Sequence, residues 1–469
     1  MDWNRRWIRC AVLVVWTACL ETSARAQEEA PAGAVAEEAA TATIEPAPPA
    51  DPDWFDKMLA REVEPLPATA VGSEDGFFSA RLPATSIRPV QAVDDLYLLT
   101  LDFGPGPEEL AECYVFRHDL DLAGSLLAFS DEVWSALGKT VGTIEAKAIY
   151  SIDAGGVGSW PYMGLDWLYR AKPEGGQPLA GQVKHLVASK QGHALYCQSS
   201  TVGYDDAFFG LFRSLVASVR FQEVAEAEPY CEELALVSIG GQAVGIARCA
   251  NRLDADGDVE VRIALAMLLP VDDQTLQASD NVSVEYSTTS GDLISAVEVE
   301  ASGGEVETQL LLSRTEAGWR VDGTFQGKEL TADLGEAELH SDLQQRLELR
   351  ALLATPPSTE DGAGAPSLTF ADWMPDLDPT VIAETEIALA GEDPGGVALR
   401  ISSGPTSYSA VADPESLSLI KVTLPLGAQS MEMERVYSRG DAFYPLELAA
   451  AAAAPDDAPL PEGGADGGR

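Results

Sequence analysis

QVKHLVASKQGHALYCQSSTVGYDDAFFGLFRSLVASVRF, residues 182–221, holds two short apolar-rich runs, a turn and an amphipathic segment. Val183 to Ser189 mixes apolar and polar positions as a half-buried strand does. Lys190-Gln191-Gly192 supplies a turn, since glycine takes positive φ freely. His193 to Gln198 returns as a second strand, with His193, Leu195 and Cys197 on one face. Asp205 or Asp206 serves as a helix N-cap, and Phe208, Leu211, Phe212, Leu215 and Val219 follow at helical spacing. A helix with that stripe needs a sheet to lie on, and the hairpin before it begins one.

Working outward, Phe77–Leu82, Leu96–Phe103 and Glu112–Arg117 read as strands. Asp119 or Asp121 caps a helix reaching about Leu137, where Gly138 stops it. Thr143–Ile152 and Met163–Ala171 are further strands, separated by a mobile glycine-rich loop, Gly155-Gly156-Val157-Gly158. Helices and antiparallel strands in this order predict an α+β fold over residues 54–222, an antiparallel sheet with packed helices.

The hairpin, the aromatic-rich helix and the closing Ser218-Val219-Arg220-Phe221 resemble the end of the PsbP/DcrB-like α/β/α sandwich. That resemblance spans some 100 residues of element order. It implies an accessory or binding role on an exported protein. It carries no metal-linked function here, because no matching ligand set occurs.

Residues 223–448 read as a second, separately packed body, a mainly antiparallel β domain. Leu234–Ile239 and Ala243–Cys249 form a hairpin through Gly240-Gly241; Val259–Leu269, Val282–Thr288, Leu293–Glu300, Val306–Ser313 and Trp319–Phe325 follow as a meander. One long helix is predicted over Ala337–Leu353, and four or five strands lie between Val381 and Tyr437.

The ends speak of export. Arg5, Arg6 and Arg9 precede the apolar run Cys10–Leu20, and Ala24-Arg25-Ala26 offers a cleavage site before Gln27, so residues 1–26 read as a signal peptide. Lipid attachment at Cys19 is the rival reading. Residues 27–53, acidic and Ala/Pro-rich, read as a disordered leader, and 449–469 as a disordered tail. No other stretch is apolar and long enough to span a bilayer as a helix. The expected location is the periplasm or the outside of the cell. Four cysteines remain after cleavage, which predicts two disulfides; Cys113 with Cys197 and Cys231 with Cys249 is the simplest of three connectivities.

The formal charge is −45, and cleavage of the basic signal would leave it near −47. Such a field excludes nucleic acid and anionic lipid as partners. The charge is uneven: residues 54–222 carry 21 acidic against 13 basic side chains, and residues 223–448 carry 41 against 12. A cationic partner is therefore expected on the second body.

Candidate chemistry is sparse. Asp254, Asp256 and Asp258 alternate as calcium ligands do, yet glycine falls at the fourth place and Leu265 at the twelfth, so the motif reads as a turn with calcium as the alternative. A turn centred on Gln191 sets His185 opposite Cys197, sharing a face with His193 but about 13 Å away, too far for one ion. His118 and His340 stand apart from them. No nucleophile elbow or phosphate loop occurs. Acidic pairs such as Asp376 and Asp378, near Trp373, resemble a sugar-cleaving arrangement, though among 75 acidic residues such pairs arise freely. No catalytic residue, cofactor or enzyme activity is assigned. The leading expectation is a non-catalytic envelope accessory protein that binds a partner or ligand. The alternative is a carrier enclosing an apolar ligand between Val261, Ile263, Leu265, Met267, Leu310 and Leu312.

Overall fold

The structure, a computed structural model, describes residues 54–446 apart from 85, 94–95, 103–109, 174–175, 223–227, 355–365, 376–377 and 404–405. The signal, Cys19, the leader, the tail, most of the joint after Phe221 and Asp376 lie outside the described residues.

The N-terminal part contains α1 (Trp54–Leu59), β1 (Ala68–Gly72), β2 (Phe78–Pro83), β3 (Ser86–Val93), β4 (Leu96–Asp102), β5 (Leu110–Phe116) and α2 (Leu122–Val141). It continues through β6 (Thr143–Val157), β7 (Trp160–Lys172), β8 (Leu179–Lys190), β9 (His193–Ser199), α3 (Asp205–Ser218) and β10 (Arg220–Phe221). Seven strands form one antiparallel sheet in the order β3-β4-β5-β9-β8-β7-β6, and β1-β2-β10 form a second. One face of the seven-stranded sheet buries Leu195 and Cys197 with Phe208, Leu211, Phe212 and Leu215 of α3. Its other face lies under α2, where Phe129 stacks on Tyr196 at 4.3 Å.

The remaining chain builds β11 (Cys231–Ile239), β12 (Gln242–Leu253), β13 (Val259–Pro270), β14 (Leu276–Ser287), β15 (Leu293–Ser302), β16 (Glu305–Thr315), β17 (Gly318–Phe325) and β18 (Lys328–Gly335). After α4 (Asp342–Ala354) come β19 (Ser367–Trp373), β20 (Ile382–Asp393), β21 (Gly396–Ser403), β22 (Thr406–Ala412), β23 (Leu419–Leu426) and β24 (Gln429–Gly440). All fourteen strands join one antiparallel sheet, two meanders fused where β24 pairs with β11. Connecting its two end strands, α4 buries Leu343 and Leu349 against Val261, Ile263, Ile387 and Ile401 on the inner face. Strand alternation supplies that face: in β13 every odd position from Val259 to Leu269 is buried in this core.

The α+β expectation is corrected. Among the described residues there are twenty-four strands against four helices, and every strand pair is antiparallel, so the fold is mainly antiparallel β. Strands β1, β3, β18 and β19 add to those expected from the sequence, and α4 is 13 residues, not a long helix.

Separate packing is corrected as well. Leu126, Met163, Leu165 and Trp167 share one hydrophobic core with Leu234, Ile246, Ala266, Leu268 and Ala278 from the outer face of β11–β14. The glycine run at 155–158 explains how they meet. It is no loop: Gly155, Gly156 and Val157 belong to β6, and only Gly158 turns, at φ 58°. A Cβ on Gly156 would stand 2.7 Å from Leu234 Cδ1, so the bare backbone lets the long sheet approach. Nor does Gly138 stop its helix. α2 runs to Val141 and ends at Gly142, whose φ of 89° and closeness to the Lys172 carbonyl exclude a side chain.

One residue of register changes the histidines. Lys190 pairs with His193 across a two-residue turn in which Gln191 and Gly192 both have positive φ. His185 therefore faces Gln198, not Cys197, and points to the α2 side, whereas His193 points to the α3 side. The two do not share a face.

Cys113 and Cys197 sit directly opposite on β5 and β9 and form a disulfide. The second expected bridge is absent: Cys231 and Cys249 are buried and are not joined as a disulfide. Cys231 pairs with Asn251 and Cys249 with Glu233, so the thiols are diagonal neighbours, at a spacing of roughly 7–8 Å that a disulfide does not span without backbone movement.

Candidate functional site

A cleft of about 710 Å³ opens at one end of the long sheet. Three segments wall it: the start of β15, the β16–β17 turn and the stretch from β18 into α4. The turn is set by Thr315, whose hydroxyl donates to the Gly318 carbonyl at 2.9 Å and accepts from Ala317 N–H. Trp319 is buried in the apolar cluster beneath, and its indole N–H donates to the Ala337 carbonyl at 2.9 Å, fixing the 336–338 segment. Ser341 donates to the Gly291 carbonyl, and Asp342 N–H donates to Glu285 Oε1 at 2.7 Å, docking the first turn of α4 against β14.

These contacts leave Glu316, Glu336 and Glu338 exposed around the cleft, joined by Asp292, which Ser290 and Thr288 hold by hydrogen bonds. The one cation in the lining, Arg314, lies over the Trp319 ring at 5.6 Å. The cleft is negative, of small-ligand size, and can hold a cation by charge and carboxylate hydrogen bonds. Its glutamates were missed in the sequence. The acidity of this half was legible; that a turn and a helix lead-in bring four carboxylates together was not.

A second cavity, about 100 Å³, lies where α2 and the β8–β9 hairpin meet the outer face of β12–β14. Its neighbourhood carries the polar contacts between the sheets. Glu232, wholly buried, accepts from Lys190 at 2.8 Å and from two nitrogens of Arg248 at 2.9 and 2.6 Å, with Arg439 at 3.8 Å. Asp280 of β14 accepts from the first-turn amides of α2, Ala123 at 3.0 Å and Gly124 at 2.7 Å. Burial raises the Asp280 carboxyl to about 7 although both amides pull the other way.

Two further buried polar groups are structural in form. Lys184 donates to the Gly203 carbonyl and pairs with Asp205 at 3.2 Å, while Gln182 bridges Asp166 and Asp205. Asp205 is thereby drawn off helix capping, and Tyr204, at φ 61°, takes the N-cap position. Burial, then the Asp205 charge, raises Asp166 to about 7, and burial lowers Lys184. Under α2, His185 Nδ1 meets the Tyr196 hydroxyl at 2.7 Å in a chain that continues through Gln198 to Glu112. Burial pushes His185 down to about 3, so it stays neutral.

The residues singled out by sequence are dispersed. Asp254 turns its carboxylate onto the Asp256 and Asp258 amides in the β12–β13 turn, and among the described residues no three His, Cys, Asp or Glu side chains converge as a metal site. Asp378 caps its own turn by accepting from Thr380. His118 meets the edge of Phe116, and His340 the edge of Phe370. Val261, Ile263, Leu265 and Met267 pack in the core around α4, whereas Leu310 and Leu312 belong to the cluster under Trp319, so the six do not line one space. Among the described residues no helix is long and apolar enough to cross a membrane.

No family model matches the sequence, and no curated protein matches it. Two solved structures are similar in part. One is a β-barrel-like protein of a domain of unknown function, DUF1849, from Brucella abortus, 12% identical with TM-score 0.34, covering 45% of this chain and 98% of that one. The other, from Bacteroides thetaiotaomicron, is 11% identical with TM-score 0.21, covering 35% of this chain and 52% of that one. Likenesses this slight bear on neither mechanism nor ligand, and the PsbP/DcrB resemblance finds no support in them.

Proposed function

We propose that this is an exported, non-catalytic accessory protein of the cell envelope that binds a cationic partner, a Lys- or Arg-bearing peptide segment, in the acidic cleft. The observation that carries the reading is the convergence of Asp292, Glu316, Glu336 and Glu338 on a 710 Å³ cleft whose lining holds one cation, Arg314. Export is supported by the N-terminal Arg-flanked apolar run and by the Cys113–Cys197 disulfide, a bond that persists in oxidising compartments. The carboxylates steer the partner and fix its register, and apolar contact beside Leu339 adds to the charge.

The test is calorimetric titration with a short oligolysine into the wild type and into the triple variant Glu316→Gln, Glu336→Gln, Glu338→Gln. Binding that weakens about tenfold or more in the variant supports the proposal. Equal binding by both proteins, or none by the wild type at low salt, refutes it.

A further inference from the structure

The small cavity at the sheet junction carries six charged side chains, Asp119, Asp121, Lys190, Arg248, Arg262 and Asp280. Four are committed. Lys190 and Arg248 are bound to Glu232. Asp119 accepts from the Ser189 hydroxyl at 3.2 Å and Gly192 N–H at 3.0 Å. Asp280 is taken up by the α2 amides.

The last of these has a consequence for Asp121. An aspartate at a helix N-cap ordinarily turns its carboxylate onto the first-turn amides. Asp121 occupies the N-cap position with extended φ and ψ, yet makes no side-chain capping bond, because Asp280 from β14 already holds those amides. Its carboxylate is left over at the cavity, beside a second acid. From β13, Arg262 lines the same cavity, and among the described residues its side chain makes no hydrogen bond or ion pair. The space is well below the 300–1,000 Å³ of drug-sized pockets, roughly, and suits a molecule of a few heavy atoms.

We infer that this cavity is a binding site for a small α-amino acid of glycine or alanine size, its carboxylate on the Arg262 guanidinium and its ammonium on Asp121. Both contacts are charge-assisted, and the guanidinium fork matches a carboxylate in geometry. Occupancy would add a bridge between α2 and the long sheet, at the seam where the two halves of the molecule meet. This site is independent of the acidic cleft.

The experiment is titration of the full chain with glycine and alanine, followed by calorimetry and by thermal melting, with acetate and methylamine as half-ligand probes. The expected result is saturable binding of the amino acids that raises Tm. Arg262→Gln and Asp121→Asn each weaken it about tenfold or more, the loss of one charge-assisted contact. Asp121 is exposed and Arg262 half-exposed, so both variants are expected to fold, and near-ultraviolet circular dichroism checks it. Absence of wild-type binding, undiminished binding in both variants, or acetate or methylamine binding as well as alanine would each overturn the assignment.

Discussion

Asp280→Asn probes the seam between the two halves, and its effect depends on pH. The side chain is buried, and its two oxygens satisfy the Ala123 and Gly124 amides. Removing an acceptor from a buried amide costs about 1–3 kcal/mol, and asparagine can serve only one of the two. Against this stands the cost of burying the charge. A carboxyl raised from 3.8 to about 7 by burial corresponds to about 4 kcal/mol between its protonated and ionised forms. Because the folded-state value is the raised one, the stability from the bound proton is full below pH 3.8 and is lost as pH climbs through about 7. Asparagine has no such dependence. Urea unfolding of both proteins at pH 5, 6, 7 and 8 should show Asp280→Asn destabilising by some 1–3 kcal/mol at pH 5. The gap should then shrink or reverse by pH 8, a change of about 3 kcal/mol. The rest of the protein's charge titrates alike in both and cancels. A difference between the two proteins that stays constant across this range would refute the reasoning.

Other perturbations follow from the same packing. Glu232→Gln leaves Lys190 and Arg248 without their buried counter-charge and should cost about 3–5 kcal/mol in urea unfolding, where a loss under about 1 would contradict the arrangement. The double variant Cys113→Ala, Cys197→Ala frees a link between positions 84 residues apart; loss of about 2–5 kcal/mol is expected, and reduction of the wild type should match it. Gly245→Ala would place a Cβ 2.2 Å from the Ala266 carbonyl oxygen, so β12 and β13 must part locally, lowering stability by about 1–3 kcal/mol with a fall in Tm that melting would record.

What the sequence disclosed followed strand alternation. The odd positions of Val259–Leu269 announce a core-facing strand, and the turn at Gly240-Gly241 closes its hairpin as read. Cys113 and Cys197, each central in its strand, find one another because β5 and β9 pair, a long-range choice that local pattern does not encode. Where the reading failed, it failed by one residue or by a distant contact. A turn of two residues, not three, moved His185 to the other side of the sheet. Glycines at 155–156 looked like a loop because their reason is Leu234, nearly eighty residues later along the chain. Asp205 looked like a cap because Lys184 and Gln182, its actual partners, come from the strand beneath the helix. The cleft was hidden for the same reason: its acids come from three segments that only the long sheet brings together.

Hydrogen exchange of the intact protein with and without a short oligolysine tests the central proposal most directly, since it reports where the partner sits. Slowed exchange confined to the start of β15, the β16–β17 turn and the 336–344 segment is the predicted result. Protection that falls elsewhere, or no protection at saturating peptide and low salt, would contradict it.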